Sequence, residues 1–163
     1  MIIFVLFSHK SIKKMVQIRL AATEDKDVIS GFQIRMALET EGIKLDEEKV
    51  LSGVLGVFRD PLKGKYLVAT ENSKIIASLL LTGEWSDWRN KWFLWIQSVY
   101  VIPDKRGRGV FRQMYEHVKT MVKNDEDVAG LKLYVDSENK SAIATYKAIG
   151  MDGDHYKLFE WYK

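Results

Sequence analysis

Apolar positions recur along this chain in two rhythms. Val16, Ile18 and Leu20 alternate with polar neighbours, as in a strand with one buried face, and Val28, Ile29, Phe32, Met36 and Leu38 then return at helical spacing. Thr23 stands where a helix N-cap would, with Glu24, Asp25 and Asp27 in the first turn, and Gly42 follows the last periodic residue, so a first helix is predicted to about Glu41. Asp46 is placed to cap a second helix carrying Val50, Leu51, Val54, Leu55 and Phe58, which Asp60-Pro61 stops. Residues 65–71 and 75–82 read as strands joined by a tight hairpin at Asn72-Ser73. Residues 83–91 are polar apart from Trp85 and Trp88 and read as a loop, and 92–101 is an apolar strand ending before Pro103. Val110, Phe111, Met114, Tyr115, Val118, Met121 and Val122 predict a further helix; 131–135 predicts a short strand, 141–149 a short helix ended by Gly150, and 156–162 a final strand. Helices that cross between strands argue for a mixed α/β sheet.

Composition narrows the classes. The chain has 163 residues, enough for one domain with a real core, and a formal net charge of +3, too mild to argue for nucleic-acid binding. It contains no cysteine, which excludes disulfides, thiolate metal sites and a cysteine nucleophile, and is compatible with a reducing cytoplasm. Residues 1–7 are apolar and Lys10, Lys13 and Lys14 follow. That run is too short to span a bilayer, and its charges lie on the wrong side for a signal peptide. Residues 1–14 therefore read as an appendage to a single domain over 15–163, the alternative being an extra edge strand.

The chemistry concentrates between the strand at 92–101 and the helix from Val110. The turn Asp104-Lys105-Arg106-Gly107-Arg108-Gly109 leaves bare backbone N–H groups at a helix N-terminus, with Lys105, Arg106, Arg108 and Arg112 around them, which suits a phosphate. The turn is no P-loop, since no Gly-Lys-Ser/Thr follows, and no dinucleotide fingerprint, since Arg112 stands where the third glycine would be. By itself it is equally a tight turn with solvated arginines.

A second pattern lies downstream. Asn139, Ala142, Tyr146 and Gly150 have the spacing N-x-x-A-x-x-x-Y-x-x-x-G. Together with Val99-Tyr100-Val101, Pro103 and Arg106-Gly107-Arg108-Gly109, the arrangement over 16–163 resembles the GNAT superfamily of N-acetyltransferases. The resemblance implies a mixed, mostly antiparallel sheet with a central splayed parallel strand pair flanked by helices. It implies acetyl-coenzyme A lying between the strands at 92–101 and 131–135. The pantetheine arm would bond main chain near Val99, Tyr100 and Val101 and the side chain of Asn139. The pyrophosphate would rest on Arg106, Gly107, Arg108, Gly109 and Val110, with Arg112 nearby, and Tyr146 would protonate the departing thiolate. Phe111 departs from the pattern, because many members have a small residue two positions after the second glycine; its ring is expected to face the core.

The residues fit that chemistry. A tyrosine, with a pKa near ~10, is protonated at neutral pH and can donate a proton to a thiolate whose own pKa is near ~8.5. Without cysteine no cysteinyl thioester can form, and without a Gly-x-Ser-x-Gly elbow direct attack by an amine is the simple route. A lysine-like amine is neutral in about one molecule in 2,500 at pH 7, a cost of roughly 4.6 kcal/mol that a base, a water chain or desolvation must offset. Glu84 is the first candidate for the base and Asp87, Glu39 and Glu41 are others, though the readier reading of each is a solvated surface acid or an acceptor-binding charge. His117 and His155 lack metal-ligand neighbours, so no metal is expected. Trp92 and Trp95 belong to a strand and suggest core packing. Trp85 and Trp88 suggest either the wall of an acceptor pocket or a dimer interface. The expected protein is a cytoplasmic N-acetyltransferase taking acetyl-CoA and a small-molecule or peptide amine, with neither nucleic acid nor membrane as partner and a homodimer implied by the resemblance. The alternative is a non-catalytic acyl-CoA-binding module of the same fold.

Overall fold

A computed structural model describes residues 16–161 and residue 163; the predicted appendage over 1–14 lies outside them. The element order is β1 (Gln17–Leu20), α1 (Lys26–Glu41), α2 (Glu47–Arg59), β2 (Lys65–Glu71), β3 (Lys74–Ser86), β4 (Lys91–Val101), α3 (Val110–Lys123), β5 (Val128–Lys132) and α4 (Lys140–Ala148). The strands form one sheet in the order β1-β2-β3-β4-β5. Successive pairs are antiparallel except β4 and β5, which run parallel.

Local chemistry accounts for most boundaries. The Asp46 carboxylate accepts the Lys49 N–H at 2.8 Å and caps α2; Asp60 accepts the Leu62 N–H at 3.0 Å as Pro61 turns the chain out of it. Asn72 and Ser73 have φ of 50° and 62°, the pair of left-handed residues that a two-residue hairpin matched to strand twist requires. At α1 the expected cap differs. Thr23 opens a 3-10 turn, Thr23–Asp25, and α1 begins at Lys26, because the Asp25 carboxylate turns back to accept the Ala22 N–H at 2.8 Å.

Alternation along the sheet divides the core. Leu67, Ala69, Leu79, Leu81 and Ile96 pack with Val110, Met114, Tyr115 and Val118 of α3 and with Ile149 after α4. Tyr66 and Val68 face the other way, onto Ile29 of α1 and Val54 of α2. Each fully buried aliphatic of this kind contributes about 1.5–3 kcal/mol, so the helices are fixed to the sheet mainly by these faces.

Three expectations need correction. The loop predicted over 83–91 is mostly strand: β3 continues to Ser86, and Glu84 pairs with Phe93, Trp85 with Trp92 and Ser86 with Lys91. The polar residues there are the solvent side of a long hairpin, and Trp85 and Trp92 meet edge to face with centroids 5.1 Å apart. The strand predicted over 131–135 is Val128–Lys132, because its partner fixes it: β4 accepts parallel pairing only from Trp92 to Trp95. Residues 156–161 form no strand, and Tyr156, Phe159 and Trp161 are exposed. Alternating residues make a strand only where an edge receives them. The parallel pair expected at the centre of the sheet therefore lies at one end of it among the described residues.

Candidate functional site

A change of register in β4 opens the site. Leu80 pairs with Gln97 but Ser78 pairs with Tyr100, so β4 carries one residue more than β3 across that step. Ser98 takes it up in a left-handed conformation, φ 50°. Such a bulge bends a strand and increases its twist. Parallel pairing with β5 has ended by Trp95, so the remainder of β4 leaves a gap beside it. Nothing in the spacing of apolar residues marked Ser98.

Beyond β4 the chain passes through a 3-10 turn, Pro103–Lys105, into the turn before α3. Gly107 and Gly109 have φ of 70° and 73°, a region costly to other residues, and through them the main chain folds over the start of α3. Among the described residues, the N–H groups of Gly107, Arg108, Gly109, Val110, Phe111 and Arg112 make no hydrogen bond of ordinary geometry. Unbonded donors on a turn and the first residues of a helix have the makings of an anion cradle.

The gap and the cradle share one cavity of about 650 Å³. Val99, Tyr100, Val101, Arg106, Gly107, Gly109, Val110, Arg112, Asn139 and Tyr146 all line it, so the structure brings together nearly every residue selected from the two sequence patterns. Arg108 is exposed and is not part of the lining. Asn139 caps α4: its side-chain oxygen accepts the Ala142 N–H at 3.0 Å, which leaves its amide NH2 for another partner. Tyr146 is half-buried; burial pushes its phenol above the usual tyrosine value, and its hydroxyl has no hydrogen bond among the described residues.

The Arg106 N–H, expected to serve the pyrophosphate, donates instead to the Pro103 carbonyl at 3.2 Å, and the Arg106 side chain is engaged within the protein. Its Nε donates to the Val101 carbonyl at 2.8 Å and its Nη2 meets the Glu39 carboxylate at 2.5 Å, while its guanidinium lies over the Tyr100 ring. The Tyr100 hydroxyl donates to the other Glu39 oxygen at 2.7 Å. Glu39, weighed from sequence only as a base, thus joins the end of α1 to β4 and the turn. The Arg106 and Tyr100 hydrogen bonds hold its carboxyl below the usual range. Phe111 is the residue sequence reasoning placed least well. It touches the core but also lines the cavity, with its ring edge to face with Tyr146 at 5.5 Å.

Glu84 is separated from this group. It does not line the cavity, and both of its oxygens are engaged: Lys132 Nζ at 2.6 Å and the Trp95 indole N–H at 2.5 Å. The Lys132 ammonium holds its carboxyl below the usual range, which makes it a poor proton acceptor at neutral pH. The Lys132 ammonium also sits 4.4 Å from the centre of the Phe93 ring. Asp87 and Glu41 are exposed and likewise outside the lining, as are Trp85, Trp88 and Trp92 on the hairpin. Trp95 packs 5.9 Å from Tyr134. His117 is exposed on α3, and among the described residues no three His, Asp or Glu side chains gather as a metal site needs. No described helix is long and apolar enough to cross a membrane.

Several known proteins share this architecture. A possible acetyltransferase from Clostridium difficile 630 is 41% identical, superposes with a TM-score of 0.85, and is matched over 91% of this chain and 98% of its own. A predicted acetyltransferase from Clostridium acetobutylicum, solved with acetyl-CoA, shares the fold at 21% identity and a TM-score of 0.70, over 90% of this chain and 96% of its own. A peptidyl-lysine N-acetyltransferase, YjaB of Salmonella typhimurium, is 27% identical over 85 residues, 52% of this chain; the match spans about half of that relative, 48%. The profile of the acetyltransferase (GNAT) family matches residues 32–151, a stretch that contains every cavity-lining residue named above, and the chain belongs to that family.

Proposed function

We propose that the protein transfers the acetyl group of acetyl-CoA directly to a primary amine. The observation that carries this reading is the run of unbonded N–H groups from Gly107 to Arg112, all of whose residues but Arg108 line the same cavity as Asn139 and Tyr146. A pyrophosphate on those donors would gain charge-assisted hydrogen bonds and the favourable end of the α3 dipole, and Arg112 adds charge beside it. The 650 Å³ cavity has room for the pantetheine arm along the unpaired part of β4, within reach of the free amide of Asn139. The amine nitrogen attacks the thioester carbonyl carbon, the C–S bond breaks, and Tyr146 gives its proton to the sulfur; the proton lost by nitrogen returns to solvent. Burial favours this donor, because a phenol pushed upward stays protonated across the working pH range. An amine of a protein lysine or a small molecule fits; the lysine activity in the name of the Salmonella relative supports testing peptides first.

Two measurements test the reading. Acetyl-CoA at 100 times its Kd should stabilise the protein against heat by about 2.7 kcal/mol. Thiol release, followed with a panel of peptides and small amines, should show turnover with at least one of them. Absence of any thermal shift at millimolar acetyl-CoA overturns the cofactor assignment. A shift without thiol release across the panel supports the binding module in its place.

A further inference from the structure

We infer that Phe111 is a positioning residue that holds the Tyr146 ring in its working orientation. The inference rests on Tyr146 being the proton donor of the proposed reaction. Tyr146 belongs to α4, a helix of nine residues none of which is fully buried, and its ring packs against the core along one side only, half of it remaining open. Its hydroxyl has no hydrogen bond among the described residues, so no polar partner orients it either. The ring it meets is that of Phe111. The two ring centroids are 5.5 Å apart and the planes meet at 68°, the edge-to-face arrangement in which aromatic quadrupoles attract.

Phe111 is itself well held. It lies on the first turn of α3, between Val110 and the buried Met114 and Tyr115, and packs against the core. Tyr115 flanks it with centroids 6.4 Å apart. Tyr115 to Phe111 to Tyr146 is therefore a stack that runs from the buried face of α3 to the cavity wall, and its last member is the proposed acid. A small residue at position 111 would leave the phenol free to change rotamer and would admit water beside it. The bulky ring that departs from the pattern of similar sequences has a use in this chain that a glycine there could not fill.

The test is a double-mutant cycle on the full chain with Phe111→Leu, Tyr146→Phe and both together, scored by thiol release. Phe111→Leu is expected to lower kcat about 3- to 10-fold, the scale of one aromatic contact, with KM for acetyl-CoA changed less than twofold. The alkaline limb of its pH profile should move to lower pH, because a better-hydrated phenol ionises more readily. In the Tyr146→Phe background, Phe111→Leu should cost nothing further. Phe111→Tyr should restore most of the loss, since it returns the ring. An equal fractional loss in the Tyr146→Phe background, or a rise in KM with kcat intact, overturns the positioning role while leaving the acid assigned. Wild-type turnover in Tyr146→Phe alone overturns both. Should Phe111→Leu fail to fold, as judged by circular dichroism, Phe111→Met serves in the same cycle with the same outcomes.

Discussion

Glu39 and Arg106 are 67 residues apart in sequence and 2.5 Å apart in space. Their contact fastens the end of α1 to the turn whose N–H groups from Gly107 onward are unbonded. Because Arg106 also donates to the Val101 carbonyl, the bridge fixes the exit of β4 and the start of the turn together. A preformed turn binds an anion without first losing conformational freedom.

Glu39→Gln keeps an acceptor for Tyr100 and removes the charge that Arg106 meets. The pair is partly solvated, so its worth is on the order of 0.5–1 kcal/mol, and acetyl-CoA should bind about 2- to 5-fold more weakly by titration calorimetry. Since Glu39 is held below the usual carboxylate range, the bridge is complete above pH about 4.3 and is lost as pH falls through the lower folded value. An affinity identical to wild type would show that the turn keeps its shape unaided.

Acid should weaken the protein through Asp25. This buried carboxylate takes both ends of the Arg19 guanidinium, at 2.6 and 3.0 Å, and joins β1 to the start of α1. The Arg19 hydrogen bonds lower its pKa most, and the Ala22 N–H lowers it further. A depressed folded value means stability that is fully present above pH about 3.9 and disappears as pH drops through the folded value. Asp25→Asn is expected to cost about 1–3 kcal/mol in urea unfolding at pH 7 and at pH 5 alike. The gap to wild type should narrow below pH 4, and a gap independent of pH down to 2 would contradict the ionic account.

Tyr146 predicts the high-pH behaviour of the enzyme. Burial raises the phenol above the ordinary tyrosine value of about 10, so the proposed acid is protonated throughout the neutral range and kcat should hold well into alkaline pH. Tyr146→Phe should cut kcat on the order of 100-fold with the affinity for acetyl-CoA within about twofold of wild type. An alkaline limb near pH 8 would point to a different acid.

Glu84→Gln separates the base expected from sequence from the ion pair found in the structure. With both oxygens committed to Lys132 and Trp95, the substitution should leave kcat within about twofold and the pH profile unmoved. The exposed pair should cost no more than about 1 kcal/mol of stability. A large fall in kcat together with a lost acid limb would reinstate Glu84 as the proton acceptor.

How much of this was legible beforehand follows from how far each interaction reaches. The cap at Asp46, the hairpin at Asn72-Ser73, and the two-glycine turn are set by neighbours a few residues apart, and their sequence signals sufficed; the cap at Asn139 emerged only in the structure. The apolar periodicity of α2 and α3 likewise named the buried faces before any partner was known. Where the answer depended on a distant edge, sequence was silent or misleading. Residues 83–86 became strand because Lys91, Trp92, Phe93 and Leu94 were there to receive them, whereas 156–161 pair with no strand.

The sequence by itself carried the resemblance to the family and named most of the residues that line the cavity, because the two-glycine turn and the Asn139–Tyr146 spacing are local patterns a linear chain displays. Tertiary structure alone decided which components meet. It put Glu39 on Arg106, Phe111 on Tyr146 and Glu84 on Lys132, and it left Arg108 outside the lining. Side-chain partners are chosen by how helices dock on a twisted sheet and by where β4 bulges at Ser98, and neither has a period that a linear chain displays.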